Sequence, residues 1–352
     1  MESHVKNEAE LLSEKGHEVK VVTIAGELNN SKRIENGVEV HRVNKREFLT
    51  WGSGSEDLIV VHQYRHPLSD IAGYFAGHPK IKRIHGIYPP KSSFDSIKKR
   101  FYDFFGNKIL NDFEVITALS ETQKSQLEKI GVKDDKIEIV PNAVNAEKWL
   151  EDLERIDGDF KEEYEINTKH FGIVVGRLDW NKGIEDFVKA VRYIVEDNLS
   201  FIGVVIGPDP KNLKNGFEKM SKKLGVSENV IFTGKVPFKD LVLAYKQADL
   251  LLLPSFYEGF PTVVMEAMLS QTPVIATPNG GTKHLVKEGE TGYLCEYGNP
   301  SSIYQKIKYI VKVGREENVV ENAYFLVKNK YTWSNLIERL EEIYMDVVED
   351  SD

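Results

Sequence analysis

Leu250-Leu251-Leu252-Leu253-Pro254-Ser255-Phe256-Tyr257-Glu258-Gly259-Phe260-Pro261-Thr262-Val263-Val264-Met265-Glu266-Ala267 is the stretch that decides the fold. Four consecutive leucines closed by Pro254 read as a strand buried on both faces. Helix-compatible sequence begins at Pro261, a residue suited to the first helical position, where no N–H is needed. A buried strand feeding a helix is one unit of a parallel sheet, and the flanking sequence repeats it. Strands are expected over 171–175, 201–206, 230–233 and 273–277, alternating with helices over 184–195, 213–224, 239–247, 261–269 and 300–313. The first half repeats the alternation in shorter runs, with strands at 19–24, 38–43, 58–61, 82–85, 115–118 and 137–140. Two doubly wound α/β domains follow, over 1–150 and 151–330, with the acidic stretch 149–167 as linker or boundary. A last helix near 333–348 carries Leu336, Ile337, Leu340, Ile343, Tyr344 and Val347 on one face, so it packs on something.

Length and composition agree with two domains and exclude several classes. The chain has 352 residues, of which 41% are hydrophobic, enough for two cores. A net charge of −9 argues against a general nucleic-acid binder, which needs a cationic surface. One cysteine excludes an intrachain disulfide framework and a Cys-rich zinc site, and makes a reducing, cytoplasmic setting the default. No apolar run nears the roughly 18 residues of a membrane span.

Ligands of open α/β sheets bind beyond the carboxyl ends of the strands, so the loops there are the places to look. In the opening stretch, Gly259 frees the backbone and the N–H groups near Thr262 and Val263 form a helix N-terminus that suits an anion. Glu258 precedes that helix and Glu266 lies just over one turn into it. Two carboxylates beside an anion site suit a ligand bearing both phosphates and hydroxyls. The plainer alternative is that Glu258 caps the helix and Glu266 makes a solvent-facing pair. A second loop, Gly176-Arg177-Leu178-Asp179-Trp180-Asn181-Lys182-Gly183, follows the strand at 171–175. Its guanidinium and ammonium together suit a diphosphate, unless both are simply solvated. Neither a G-x-G-x-x-G at this loop nor a Walker G-K-[ST] is present.

Taken together these elements resemble the retaining GT-B glycosyltransferases of family 4, over nearly the whole chain. The Glu-x7-Glu signature matches Glu258 to Glu266, fronted by Glu-Gly-Phe-Pro, and Gly-Arg-Leu-x-x-x-Lys-Gly matches Gly176 to Gly183. Ile139-Val140-Pro141-Asn142 and Phe232-Thr233-Gly234-Lys235-Val236 are further matches in the same order. The resemblance implies two Rossmann-like domains facing a cleft, with a C-terminal segment, 331–352, whose helix returns to the first domain. It implies transfer of a sugar, with retention, from a nucleotide-diphosphate donor (UDP favoured over GDP) to an acceptor hydroxyl of a glycan, glycolipid or lipid-linked oligosaccharide. Arg177 and Lys182 would hold the diphosphate in place of a metal, and no cofactor is implied. Gly176 belongs to that loop. Glu266 would bind the ribose and Glu258 the donor sugar. Val236 would meet the nucleobase through its backbone, while Gly259, Phe260, Pro261 and Thr262 would line the sugar–phosphate site. His85, in Arg83-Ile84-His85-Gly86, matches the family's cleft histidine, which would contact the transferred sugar or orient the acceptor. His62, Tyr64 and His66 follow another strand, a position from which they could touch the acceptor. Pro67 and the missing glutamate disfavour a zinc helix there.

Ala143, Val144 and Asn145 stand where the family often has Gly and Asp, at the hinge. Asp157-Gly158-Asp159 mimics the Asp-x-Asp metal site of a different glycosyltransferase fold, but it follows no strand. Between Lys91 and Leu110, Phe94, Ile97, Phe101, Phe104, Phe105 and Ile109 recur at helical spacing among Lys98, Lys99, Arg100 and Lys108. Such a helix can lie on an anionic membrane surface, giving peripheral contact at the cytoplasmic membrane face, or can pack its aromatics inward. The chain also opens on a helix, where Met1-Glu2-Ser3-His4 fits the end of the family's first strand–glycine loop–helix unit. The unit's first strand and glycine loop are thus expected to be missing from the sequence as written, with the true start about 15–20 residues upstream. Competing functions are a GT-B-fold nucleotide-sugar epimerase, a glycoside hydrolase using Glu258 and Glu266, and a non-catalytic sugar-nucleotide or glycan-binding subunit. The hydrolase has no use for the cationic loop.

Overall fold

The computed structural model describes residues 2–25, 30–51, 56–63, 66–77, 79–87 and 107–351. The chain divides into two compact units, Met1–Ala143 with Trp333–Asp352, and Val144–Thr332.

In the first unit, strands β1 (Lys20–Ile24), β2 (Ser31–Glu35) and β3 (Val38–Val43) form one sheet in the order β1-β3-β2. Strands β4 (Ile59–His62), β5 (Lys80–Arg83), β6 (Val115–Ala118) and β7 (Ile137–Ile139) form a second, all-parallel sheet in chain order. β2, which sequence patterning does not indicate, pairs antiparallel with β3 through register pairs such as Arg33 with Val40. Four of its five residues are exposed, so it has no apolar alternation to detect. Helices α1 (Glu2–Glu14), α2 (Lys45–Thr50), α3 (Pro67–Phe75) and α4 (Glu121–Lys129) accompany these strands.

β5 departs most from its sequence reading. The apolar run expected at 82–85 is instead the strand Lys-Ile-Lys-Arg, all four residues buried. Alternation sends Lys80 and Lys82 to one face, where their ammonium groups meet Asp112 at 2.6 Å and Asp70 at 2.8 Å. Both also lie over the Phe113 ring, 5.3 and 5.5 Å from its centre. Ile81 and Arg83 take the opposite face. Arg83 Nε lies 3.1 Å from Glu8 of α1, whose carboxylate also accepts the Tyr344 hydroxyl. Ile81 joins Trp333, Leu336, Leu340, Ile343, Tyr344 and Val347 in one apolar cluster with Val140 and Ala143. The final helix thus buries its apolar stripe in the first unit.

In the second unit six strands form one parallel sheet: β8 (His170–Val175), β9 (Phe201–Ile206), β10 (Val230–Gly234), β11 (Leu250–Leu253), β12 (Val274–Ala276) and β13 (Tyr293–Leu294). Their order is β10-β9-β8-β11-β12-β13. The stretch 149–167, whose acidity suggests a linker, instead carries most of one helix and the whole of a short second one. α5 (Ala146–Arg155) and α6 (Phe160–Glu163) are capped by the side chains of Asn145 and Asp159. Trp149 is buried, donates to Ser270 Oγ at 3.0 Å and meets Tyr245 edge-on, while Phe160 stacks on Phe171. Most acidic residues of these helices are exposed; Asp152 is buried and pairs with Arg155 at 2.5 Å. Covering the sheet are α7 (Ile184–Glu196), α8 (Lys214–Leu224), α9 (Phe238–Gln247), α10 (Thr262–Leu269), α11 (Thr282–Leu285), α12 (Pro300–Val313) and α13 (Glu317–Lys330), with α14 (Trp333–Glu349) ending the chain. No helix among the described residues is long and apolar enough to cross a membrane.

Candidate active site

Strand order positions the site. From β8 the chain winds outward through β9 and β10, then returns to lay β11 against the other side of β8. The strands flanking this reversal send their following loops in opposite directions, which leaves a crevice at their carboxyl ends. Those loops are residues 176–183 and 254–261, the two singled out from sequence. They are tied together: Phe256 N–H donates to Asn181 O at 2.7 Å. Gly183 has φ +66° and passes so close to Pro254 O that a Cβ would stand 2.0 Å from it, so only glycine fits.

Across this junction Lys182 Nζ pairs with Glu258 Oε1 at 2.7 Å. Glu258 is 7% exposed, so its charge depends on that ammonium. Arg177 is exposed and pairs with no acid among the described residues. Glu266 accepts the Tyr245 hydroxyl at 2.8 Å. Burial pushes its carboxyl above the ordinary glutamate range, and the tyrosine bond opposes that shift. Neither plainer reading of the two glutamates describes them. Pro261 is the residue preceding α10 and no side chain caps that helix, while Glu266 turns to a buried tyrosine rather than a surface cation. Gly259, Phe260 and Pro261 are buried, with Phe260 against Tyr331 at 5.0 Å, and Thr262 is half-buried. Gly176 directly follows β8, and Val236 lies half-buried just past β10, whose Gly234 O accepts from Gly207 N–H at 2.8 Å.

A third loop belongs here and was not singled out from sequence. After β12, Gly281 N–H donates to Glu258 O at 3.0 Å. Gly280, at φ +61°, lies where a Cβ would be 1.9 Å from that same oxygen. This loop braces the backbone that carries Glu258. The Pro278-Asn279-Gly280-Gly281 run after an expected strand was the available signal. Tyr245 had none, since its partner lies on another helix.

In the first unit β4 and β5 bring His62 and His85 together, Nδ1 to Nε2 at 3.0 Å, with rings stacked at 5.3 Å. His62 Nε2 faces Glu8 at 4.0 Å. His85 Nδ1 is buried and has no hydrogen-bond partner among the described residues. Burial lowers His62 and His4 to about 4 and lowers His85 as well, so this stack is neutral at pH 7. His66 does not join it; its Nδ1 accepts from Ser69 N–H at 3.4 Å and caps α3. Tyr64 lies outside the described residues, as does the stretch 91–110 except for 107–110, which are helical. Asp159 spends its side chain capping α6, and Asp157 points to solvent near Lys246. Among the described residues no three His, Cys, Asp or Glu side chains converge on a metal position.

The model for glycosyl transferases group 1 matches residues 157–344, more than half the chain, and that for glycosyltransferase family 4 matches residues 1–148. The chain belongs to the group 1 glycosyl transferases. An uncharacterized glycosyltransferase of Methanocaldococcus jannaschii is 28% identical over 98% of this chain and 94% of its own. An Escherichia coli UDP-Gal:alpha-D-GlcNAc-diphosphoundecaprenol alpha-1,3-galactosyltransferase is 24% identical over 93% of this chain and 83% of its own. In fold, this glycosyltransferase matches sucrose-phosphate synthase from Thermosynechococcus elongatus with a TM-score of 0.82 at 19% identity, covering 99% of this chain and 93% of that one. It matches Anabaena HepE in complex with UDP and glucose at 0.79 and 16% identity, covering 98% and 95%. Its architecture is accordingly GT-B, two Rossmann-like α/β domains.

Proposed function

We propose that this glycosyltransferase moves a sugar from a nucleotide-diphosphate donor, UDP-linked in preference to GDP-linked, to an acceptor hydroxyl with retention at the anomeric carbon. One observation carries the reading. The loops after β8 and β11 meet at the strand-order reversal, with Arg177, Lys182, Glu258 and Glu266 on them or one turn beyond. Two cations suit a diphosphate, and two carboxylates that accept hydrogen bonds suit ribose and sugar hydroxyls. Val236, just past β10, meets the nucleobase through its backbone. Gly176, Gly259, Phe260, Pro261 and Thr262 shape the sugar–phosphate pocket.

In the reaction the bond from the anomeric carbon to the diphosphate oxygen breaks and one to the acceptor oxygen forms on the same face. The departing diphosphate takes the acceptor proton. Negative charge grows on that leaving group, and Arg177 and Lys182 stabilise it without a metal. His85, held against His62, contacts the transferred sugar or orients the acceptor. The E. coli relative supports a UDP-sugar donor and a lipid-linked acceptor. The basic, aromatic pattern of residues 91–110 suits peripheral contact with such an acceptor's membrane.

Incubation with UDP- and GDP-sugars, with and without acceptors, tests this through free nucleotide. Acceptor-dependent release that persists in EDTA is expected. Release without acceptor would favour the epimerase, and no release at all a binding subunit.

Glu266 also predicts a pH dependence. As a raised carboxyl it loses its charge, and with it ribose affinity, as pH falls toward that raised value. Tyr245→Phe removes the O–H that steadies the carboxylate, so the acid limb of donor kcat/KM should move to higher pH while kcat at pH 8 changes less than about threefold. An unmoved limb would detach Glu266 from donor binding.

A further inference from the structure

The ion pair between Lys182 and Glu258 gives one ammonium two claimants. Glu258 is almost wholly buried, and the ammonium 2.7 Å away compensates its charge. Lys182 is folded back over the end of β8: a Cβ built on Gly176 would stand 3.7 Å from its Cε. Withdrawing the ammonium leaves a buried carboxylate uncompensated, which is strongly unfavourable. Arg177, exposed and without an acid partner among the described residues, bears no such cost. The two cations of this loop are therefore not equivalent toward an incoming phosphate.

We propose that Glu258 competes with the diphosphate for Lys182, and that this competition makes the site favour a complete nucleotide sugar over a bare nucleoside diphosphate. The inference rests on the donor-site reading above. A nucleotide sugar brings hydroxyls that donate to Glu258 as its phosphate takes the ammonium, so both partners of the pair are satisfied again. A nucleoside diphosphate brings no sugar and strands the carboxylate. Transfer converts the first kind of ligand into the second, and Lys182 returns to Glu258 as the product leaves. Only hydrogen bonds and an ion pair are exchanged in this step.

Calorimetric titration with UDP and with GDP tests it on wild type, Glu258→Gln, Lys182→Ala and the double variant. Glu258→Gln keeps the side chain's size and removes the competing charge. It should bind the preferred nucleoside diphosphate about tenfold tighter than wild type, a gain that disappears in the double variant. Glu258→Ala, run in parallel, removes the same charge and answers the question if the amide perturbs the loop. Equal or weaker binding by both Glu258 variants, with Lys182→Ala still weakened, would overturn the competition and leave the donor site standing. Unchanged binding by Lys182→Ala would overturn the donor-site reading and the competition with it.

Discussion

Arg177→Ala and Lys182→Ala should each lower kcat by about 10²–10³-fold, the size of effect seen when one preorganised charge-stabilising donor is removed. The two variants should differ in stability. Arg177 is exposed and makes no ion pair among the described residues, so its loss should leave the melting temperature within a degree or so. Lys182→Ala strands Glu258, which is 7% exposed, and should cost several degrees besides activity. Steady-state transfer assays beside thermal melts separate the two effects. If Arg177→Ala melts like wild type and transfers within a few-fold of it, electrostatic stabilisation by this loop is lost as an explanation.

Asp70→Ala should destabilise the first unit by about 3–5 kcal/mol, the usual penalty for breaking a buried pair by removing one partner. Lys82 is fully buried, and Asp70 at 2.8 Å is its counterion. Burial alone depresses the Lys82 ammonium, and the Asp70 carboxylate works against that shift. For a unit of this size the loss corresponds to roughly 10 °C in melting temperature. Asp70→Asn should behave similarly, since the amide leaves Lys82 without an anion. The paired substitution Asp70→Leu with Lys82→Met should recover most of the loss, because apolar residues replace buried ion pairs at little cost. Melting of Asp70→Ala within two degrees of wild type would contradict the burial of this pair.

The second unit was legible because its strands are buried on both faces. Runs such as 201–206 and 250–253 carry no polar residue, and loops with Gly, Pro and charge punctuate them. The first unit was less legible for physical reasons. β5 hides three cations among buried positions, each matched by an acid far away in sequence: Asp112, Asp70 and Glu8. β2 is an edge strand with no buried face. Of the site, the residue types on both loops could be read, because local spacing sets them beside a strand end. Their partners could not. That Glu258 meets Lys182 rather than capping a helix, and that Glu266 meets Tyr245, follows from strand order, which brings together residues 76 and 21 positions apart. The brace from Gly280 and Gly281 is of the same kind.

The most direct test of the donor site is a crystal structure of the protein with a bound nucleotide sugar. The account predicts the diphosphate within hydrogen-bond distance of Arg177 and Lys182, ribose hydroxyls on Glu266 and sugar hydroxyls on Glu258, with Lys182 drawn away from Glu258. A nucleotide sugar bound elsewhere, or one lying at these loops with its phosphates turned away from both cations, would contradict it.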